Sequence, residues 1–216
     1  MIFKNSTAGI IVDNLITTIQ SNRDYLSEID GKIGDGDHGI NMNKGFTMCR
    51  DKLAGKSYSL SEGLKILSET LMDDIGGSMG PLYGVFFEEI SLSINKEDIS
   101  AESFAEILNN SIKAIKDIGN AKPGDKTLLD TLVPAYEAFE NAHINGNNFY
   151  DSLDEMKKGA YEGWQSTKDM VAKIGRASRL GERSRGVLDA GATSCYLIID
   201  SMSDSIRKIL SEESDT

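Results

Sequence analysis

Proline is scarce, cysteine is nearly absent, and no apolar run is long. The 216 residues hold three prolines and two cysteines. Cys49 and Cys195 sit inside apolar segments with no metal-ligand spacing, which excludes a disulfide framework and a thiolate metal site. No stretch approaches the roughly 20 apolar residues of a membrane span. The first residues, Met1 to Asn5, lack the charged region and apolar stretch of a signal peptide. Basic residues are outnumbered, and the net charge of −11 argues against a nucleic-acid or anionic-membrane surface. A cytoplasmic protein with no nucleic-acid or membrane partner is expected. No linker or internal repeat divides the chain, and 39% hydrophobic residues suffice for one core. One domain over 1–216 is the expectation.

What is abundant is helical spacing of apolar residues. Eight segments show it: about 7–29, 40–53, 60–75, 81–94, 101–118, 126–142, 148–173 and 191–211. In the third, Leu60, Leu64, Leu67, Leu71 and Ile75 follow Ser59, which is spaced from Glu62 as a capping box. No segment alternates with period two for long enough to suggest a sheet. The predicted fold class is all-α, an eight-helix antiparallel up-and-down bundle.

The connections fall into two kinds. Those after the second, fourth and sixth helices (54–58, 95–98, 144–147) are ordinary. Those after the first, third, fifth and seventh read DGKIGDGDHG, GGSMGP, GNAKPGDKT and GRASRLGERSRGVLDAGATS. In an up-and-down bundle every odd-numbered connection emerges at the same end. Four rich loops among seven would occupy all the odd places in only about one arrangement in 35, and loops are the usual carriers of sites. A single site at one end of the bundle is predicted.

The chemistry of that end is acidic, glycine-rich and then basic. Asp30, Asp35 and Asp37 lie within eight residues, separated by Gly31, Gly34 and Gly36. Glycine lets a short loop turn tightly enough for three carboxylates to converge. Carboxylates are hard ligands, and Mg²⁺ suits a partial carboxylate shell completed by phosphate oxygens. His38, Gly39, Ile40 and Asn41 follow where a helix should start, and a helix N-terminus holds phosphate. Gly76 to Pro81 repeats that arrangement, with Pro81 at a first-turn position. The third loop adds Lys122, Asp125, Lys126 and Thr127, with Asp125 a candidate helix cap. The fourth adds Arg176, Arg179, Arg183 and Arg185, whose guanidinium forks suit phosphate. His143 should stabilise the end of the sixth helix.

These motifs resemble the dihydroxyacetone kinase L-subunit family. The matching residues are 34–39 (GDGDHG) with Asn41 to Asn43, Gly76-Gly77 and Gly80-Pro81 with Gly84, and Pro123 to Thr127. They continue with Gly175 to Ser178, Leu180 to Ser184, and Asp189 with Gly191 to Ser194. The resemblance implies an eight-helix antiparallel barrel with nucleotide (ADP or ATP) at one end. It implies that Asp30, Asp35 and Asp37 hold two Mg²⁺ ions. His38, Gly39, Ile40, Asn41, Ser78, Met79, Gly119, Leu128 and Arg176 would contact the nucleotide, and Asp189, Ala190 and Gly191 would close over it. No catalytic residue beyond the metal ligands is implied. The family often has serine where this chain has Met79, so a hydroxyl is lost there while the adjacent Ser78 keeps one.

In this family the substrate is carried by a separate K subunit. One branch is fed by the phosphotransferase system, with ADP kept in place and rephosphorylated by a phosphohistidine protein. A free-standing L chain suits that branch. The expected function is therefore phosphoryl transfer to dihydroxyacetone (glycerone) held on a partner, in glycerol metabolism. Two alternatives are a kinase subunit of the same fold using free ATP on another small substrate, and a non-catalytic nucleotide-sensing adaptor.

Overall fold

The computed structural model describes residues 1–214. Among them are nine α-helices: α1 (Ile10–Ser21), α2 (Arg23–Ile33), α3 (His38–Leu53), α4 (Leu60–Asp74), α5 (Met79–Ser93), α6 (Ala101–Gly119), α7 (Leu129–Ile144), α8 (Phe149–Ser166) and α9 (Ala190–Ser214). The count exceeds the expected eight because the first segment breaks at Asn22. That residue leaves helical geometry at φ −107°, ψ 10°. Its side-chain amide donates to the Thr18 carbonyl at 2.8 Å, an alternative to continuing the helix. The second piece then runs on to Ile33, so Asp30 lies on a helix and not in the loop.

A short antiparallel ribbon also went unpredicted. It pairs β1 (Ile2–Lys4) with β2 (Asp98–Ser100), Phe3 opposite Ile99. Three residues are too few to display a period of two.

From α2 to α9 each helix packs on its neighbour in sequence, and α1 packs on both α3 and α9, which closes the ring. The interior is filled by the apolar stripes. Leu15, Met42, Phe46, Leu67, Phe87, Leu132 and Ile198 are fully buried, each contributing about 1.5–3 kcal/mol on leaving water. Cys49 and Cys195 are free thiols in this core. No helix among the described residues is long and apolar enough to cross a membrane.

Helix starts differ between the two ends. At the ordinary connections, Ser59 and Glu62 form the expected reciprocal capping box on α4. Ser100 and Ser103 do the same on α6, and Asn148 caps α8. At the rich connections, α3 and α5 begin with no side chain of their own on the first amides. At the first of these starts the His38 amide is met instead by the Asp30 carboxylate of α2, at 3.3 Å.

The seventh predicted segment is shorter than its spacing suggests. Helix α8 ends at Ser166, seven residues before 173. A 3-10 turn (Thr167–Asp169) and a 3-10 stretch (Arg176–Ser184) follow. We call residues 167–189 the strap. Thr167 is buried at its root, donating to the Trp164 carbonyl at 2.7 Å and accepting from the Asp189 amide at 3.1 Å.

Helices α7 and α8 approach closely. A methyl group on Gly163 would lie 2.2 Å from the Asp130 carbonyl. Gly163→Ala must push backbone apart, at a cost of about 1–3 kcal/mol. A fall in Tm of roughly 5 °C is expected by calorimetry; an unchanged Tm would mean that the helices separate freely.

Candidate functional site

The four rich connections line one cavity of about 790 Å³, and none of the ordinary connections contributes to it. That volume lies within the usual range for small-molecule sites.

On one wall, carboxylate oxygens of Asp30, Asp35 and Asp37 lie within 4.8 Å of one another. Local geometry forces this convergence. The Gly34 amide donates to the Asp30 carbonyl at 2.6 Å as α2 ends. A Cβ at Gly34 would sit 2.4 Å from an Asp30 carboxylate oxygen, so any larger residue would displace that carboxylate. Gly36 then takes φ +77°, turning the chain so that Asp37 precedes α3. Three like charges at this spacing repel, and a divalent cation is the natural neutraliser. Arg176, reaching from the strap, forms an ion pair with Asp35.

His38 opens α3 beside these acids. Its amide donates to Asp30 at 3.3 Å, and its Nε2 lies 2.9 Å from Ser194 Oγ. Ser194 Oγ is in turn 2.6 Å from the Tyr83 hydroxyl, which also donates to the Gly191 carbonyl at 3.1 Å. Burial lowers the His38 pKa to about 4, against the opposing pull of Asp30. The ring is therefore neutral at physiological pH, a hydrogen-bonding group and not a cation. Across the cavity the uncapped start of α5 presents Ser78, exposed, and Met79, buried.

The floor comes from the third and fourth connections. Asp125 does not cap α7; it accepts from the Lys122 amide at 3.0 Å. Asp130, buried, holds the turn instead, accepting from the amides of Gly124 (2.5 Å) and Thr127 (2.7 Å). Asp189 accepts from the Ala192 amide at 2.7 Å and so caps α9. Burial raises its pKa to about 6, while that hydrogen bond and Lys126 oppose the rise. Of the strap arginines only Arg176 reaches the cavity. Arg185 pairs with Glu182 at 3.0 Å, and Arg179 and Arg183 are exposed.

A family model described as the DAK2 domain matches residues 32–204. The chain belongs to the DAK2 domain family. It is 33% identical over 215 residues to the PEP-dependent dihydroxyacetone kinase 2 ADP-binding subunit DhaL of Listeria innocua, covering 96% of this chain and 98% of that one. It is 35% identical over 178 residues to the corresponding ADP-binding subunit of Escherichia coli, covering 82% of this chain and 85% of that one. The crystal structure of the dihydroxyacetone kinase from C. freundii in complex with AMP-PNP and Mg²⁺ superposes with a TM-score of 0.67 at 22% identity. That match covers 94% of this chain and 35% of the other, and it establishes a shared fold.

Within this DAK2 domain, all the residues expected to hold metal or nucleotide line the cavity except Gly39 and Ile40, while Lys122, Asp125, Arg179, Arg183 and Arg185 of the same loops stay outside it. Gly39 is buried against α2, where a Cβ would lie 2.0 Å from the Arg23 carbonyl. Ile40 points outward and is 48% exposed. The structure adds Tyr83, Leu82, Ile118 and Ile174 to the lining. Tyr83 and Leu82 were hidden because they sit in an apolar helical stripe that reads as core. A hydroxyl two residues after Pro81 is the signal that could have pointed to Tyr83.

The raised pKa of Asp189 has a signed consequence. A folded-state pKa near 6 against 3.8 unfolded means that its contribution to stability is full below pH 3.8 and is lost as pH rises through 6. Asp189→Asn keeps a capping oxygen and removes the desolvated charge. It should gain about 1–2 kcal/mol over wild type at pH 7.5 and little at pH 4.5. Urea denaturation at both pH values checks this; a gap independent of pH would show that the carboxylate is well solvated.

Proposed function

We propose that the chain is the nucleotide- and Mg²⁺-binding subunit of dihydroxyacetone kinase, one domain over 1–216. The observation that carries this is the convergence of three carboxylates and two uncapped helix starts on one cavity. Asp30, Asp35 and Asp37 would hold the metal, two ions in all. His38, Asn41, Ser78, Met79, Gly119, Leu128 and Arg176 would contact ADP or ATP, with Asp189, Ala190 and Gly191 beside them. Gly39 would act through its packing on α2 and Ile40 at the outer edge.

The donor set fits a polyphosphate with its cations: hard oxygens on one wall, with helix-start N–H groups and a guanidinium around them. Bound Mg²⁺ supplies charge neutralisation to the phosphates. The chain's own contribution is positioning. The amides at the starts of α3 and α5 orient phosphate oxygens without reorganising, and neutral His38 is held by Ser194 and Tyr83 to donate or accept at a set angle. Arg176 exchanges its Asp35 partner for phosphate. The substrate, dihydroxyacetone, would be presented by a separate K subunit docked over the cavity mouth. The names of the two bacterial relatives, ADP-binding subunits of PEP-dependent kinases, support a bound ADP with phosphoenolpyruvate as the phosphoryl source. A phosphohistidine protein of the phosphotransferase system would recharge it, in the cytoplasm.

Two outcomes are expected. Mg-ADP at 100 times Kd should stabilise the protein by about 2.7 kcal/mol in thermal melts, and Asp35→Asn should abolish the shift. No shift with wild type would remove the binding claim, and a full shift with the variant would remove Asp35 from the ligand set. With a K-type partner, phosphoryl transfer should require a phosphohistidine donor. Turnover on free ATP alone would assign the chain to the nucleotide-exchanging branch.

A further inference from the structure

Lys126 is one of the largest fully buried side chains in the molecule, at 2% exposure. Its backbone lies in the left-handed region at φ +66°, a conformation that costs a non-glycine residue energy. Glycine would relieve that strain, so the side chain must return something. Its ammonium donates to three carbonyls, Met170 at 3.2 Å, Ser184 at 2.5 Å and Val187 at 2.7 Å. All three acceptors belong to the strap, and they use all three ammonium donors. No carboxylate forms an ion pair with it among the described residues. Other contacts accompany these. The Lys173 amide donates to the Asp125 carbonyl at 3.1 Å, and its ammonium pairs with the Asp125 carboxylate at 3.6 Å. Within the strap the Ala172 amide donates to Ser184 Oγ at 2.9 Å and the Gly186 amide to the Lys168 carbonyl at 2.7 Å.

We propose that Lys126 is a positioning residue: a buried ammonium post that gathers the strap at three points and thereby sets Arg176 over the acidic wall. This rests on the nucleotide reading for its functional consequence, but not for its structural one. Both legs of the strap, 170 on one side and 184–187 on the other, are fastened to the post, and Arg176 lies on the arc between them. Without the post, three carbonyls lose their donor together and the arc loses its anchor. Arg176 then samples many positions, and its contribution to anion binding disappears although the residue is intact.

The test uses Lys126→Met, Arg176→Met and the double variant of the full chain. Without nucleotide, hydrogen exchange in Lys126→Met should quicken at least about tenfold at Ala172, Lys173 and Gly186, with the barrel helices unchanged. Strap protection equal to wild type, or loosening spread evenly over the barrel, overturns the proposal. Mn²⁺ binding measured by electron paramagnetic resonance should not weaken, because the aspartates are untouched; weakened Mn²⁺ binding would mean general damage and counts against the post. By calorimetry, Mg-ADP should bind each single variant about tenfold more weakly, and the double variant also about tenfold, not a hundredfold. Additive losses overturn the route through Arg176. Absence of Mg-ADP binding to wild type would defeat the nucleotide reading, and the exchange result would still decide the post. Lys126→Gln, which keeps two donors, covers poor folding of the methionine variant and should give an intermediate loss. Failure of both variants to fold would make Lys126 a determinant of the whole barrel and overturn the local role.

Discussion

Three carboxylates held within 4.8 Å of one another repel, and the rest of this molecule can be understood as what holds them there. Their positions are not adjustable side-chain choices. Asp30 is fixed on the last turn of α2, Asp37 stands immediately before α3, and Gly34 and Gly36 shape the turn that carries Asp35 between them. The helices are locked by core packing, so the repulsion cannot relax by moving backbone. It is met instead by the Arg176 guanidinium, brought from a segment some 140 residues later in the chain.

That dependence explains the asymmetry of the barrel. At the ordinary end, helix starts are closed by their own serines and asparagine. At the other end, α3 and α5 start with no cap from their own N-cap side chains, α3 beside the acids and α5 across the cavity. An uncapped helix start costs about 1 kcal/mol relative to a good cap, so leaving two of them open is a stability sacrifice. Sacrifices of that kind gather where a ligand completes the hydrogen bonding. The half-buried Asp189, its pKa raised, and the strained Lys126 lie at the same end.

Much of this was legible in the sequence, for a definable reason. Helical spacing is a local signal, and so is the alternation of rich and ordinary connections; parity alone brings 30–38, 76–81, 119–127 and 175–191 to one end. Where a side chain or a distant partner overrode the periodic pattern, the reading failed. Asn22 splits one helix through its own amide, and the ribbon of Ile2–Lys4 with Asp98–Ser100 pairs segments nearly a hundred residues apart. The α8 spacing runs past Ser166 because Met170 and Ala172 look like further helical positions, whereas their backbone groups bond to Lys126 and Ser184. Lys126 itself was visible only as one member of a polar loop. Nothing local marks a lysine whose partners are all main-chain carbonyls distant in sequence.

The central claim is that one cation-binding point organises all four loops. Paramagnetic broadening by Mn²⁺ in the presence of ADP tests it directly. Amide resonances of Asn41, Ser78, Gly119 and Arg176 should vanish together at substoichiometric Mn²⁺, along with the phosphorus signals of ADP, while those of the ordinary connections persist. Broadening confined to residues 30–37, or scattered over the exposed acids of an acidic surface, would contradict it.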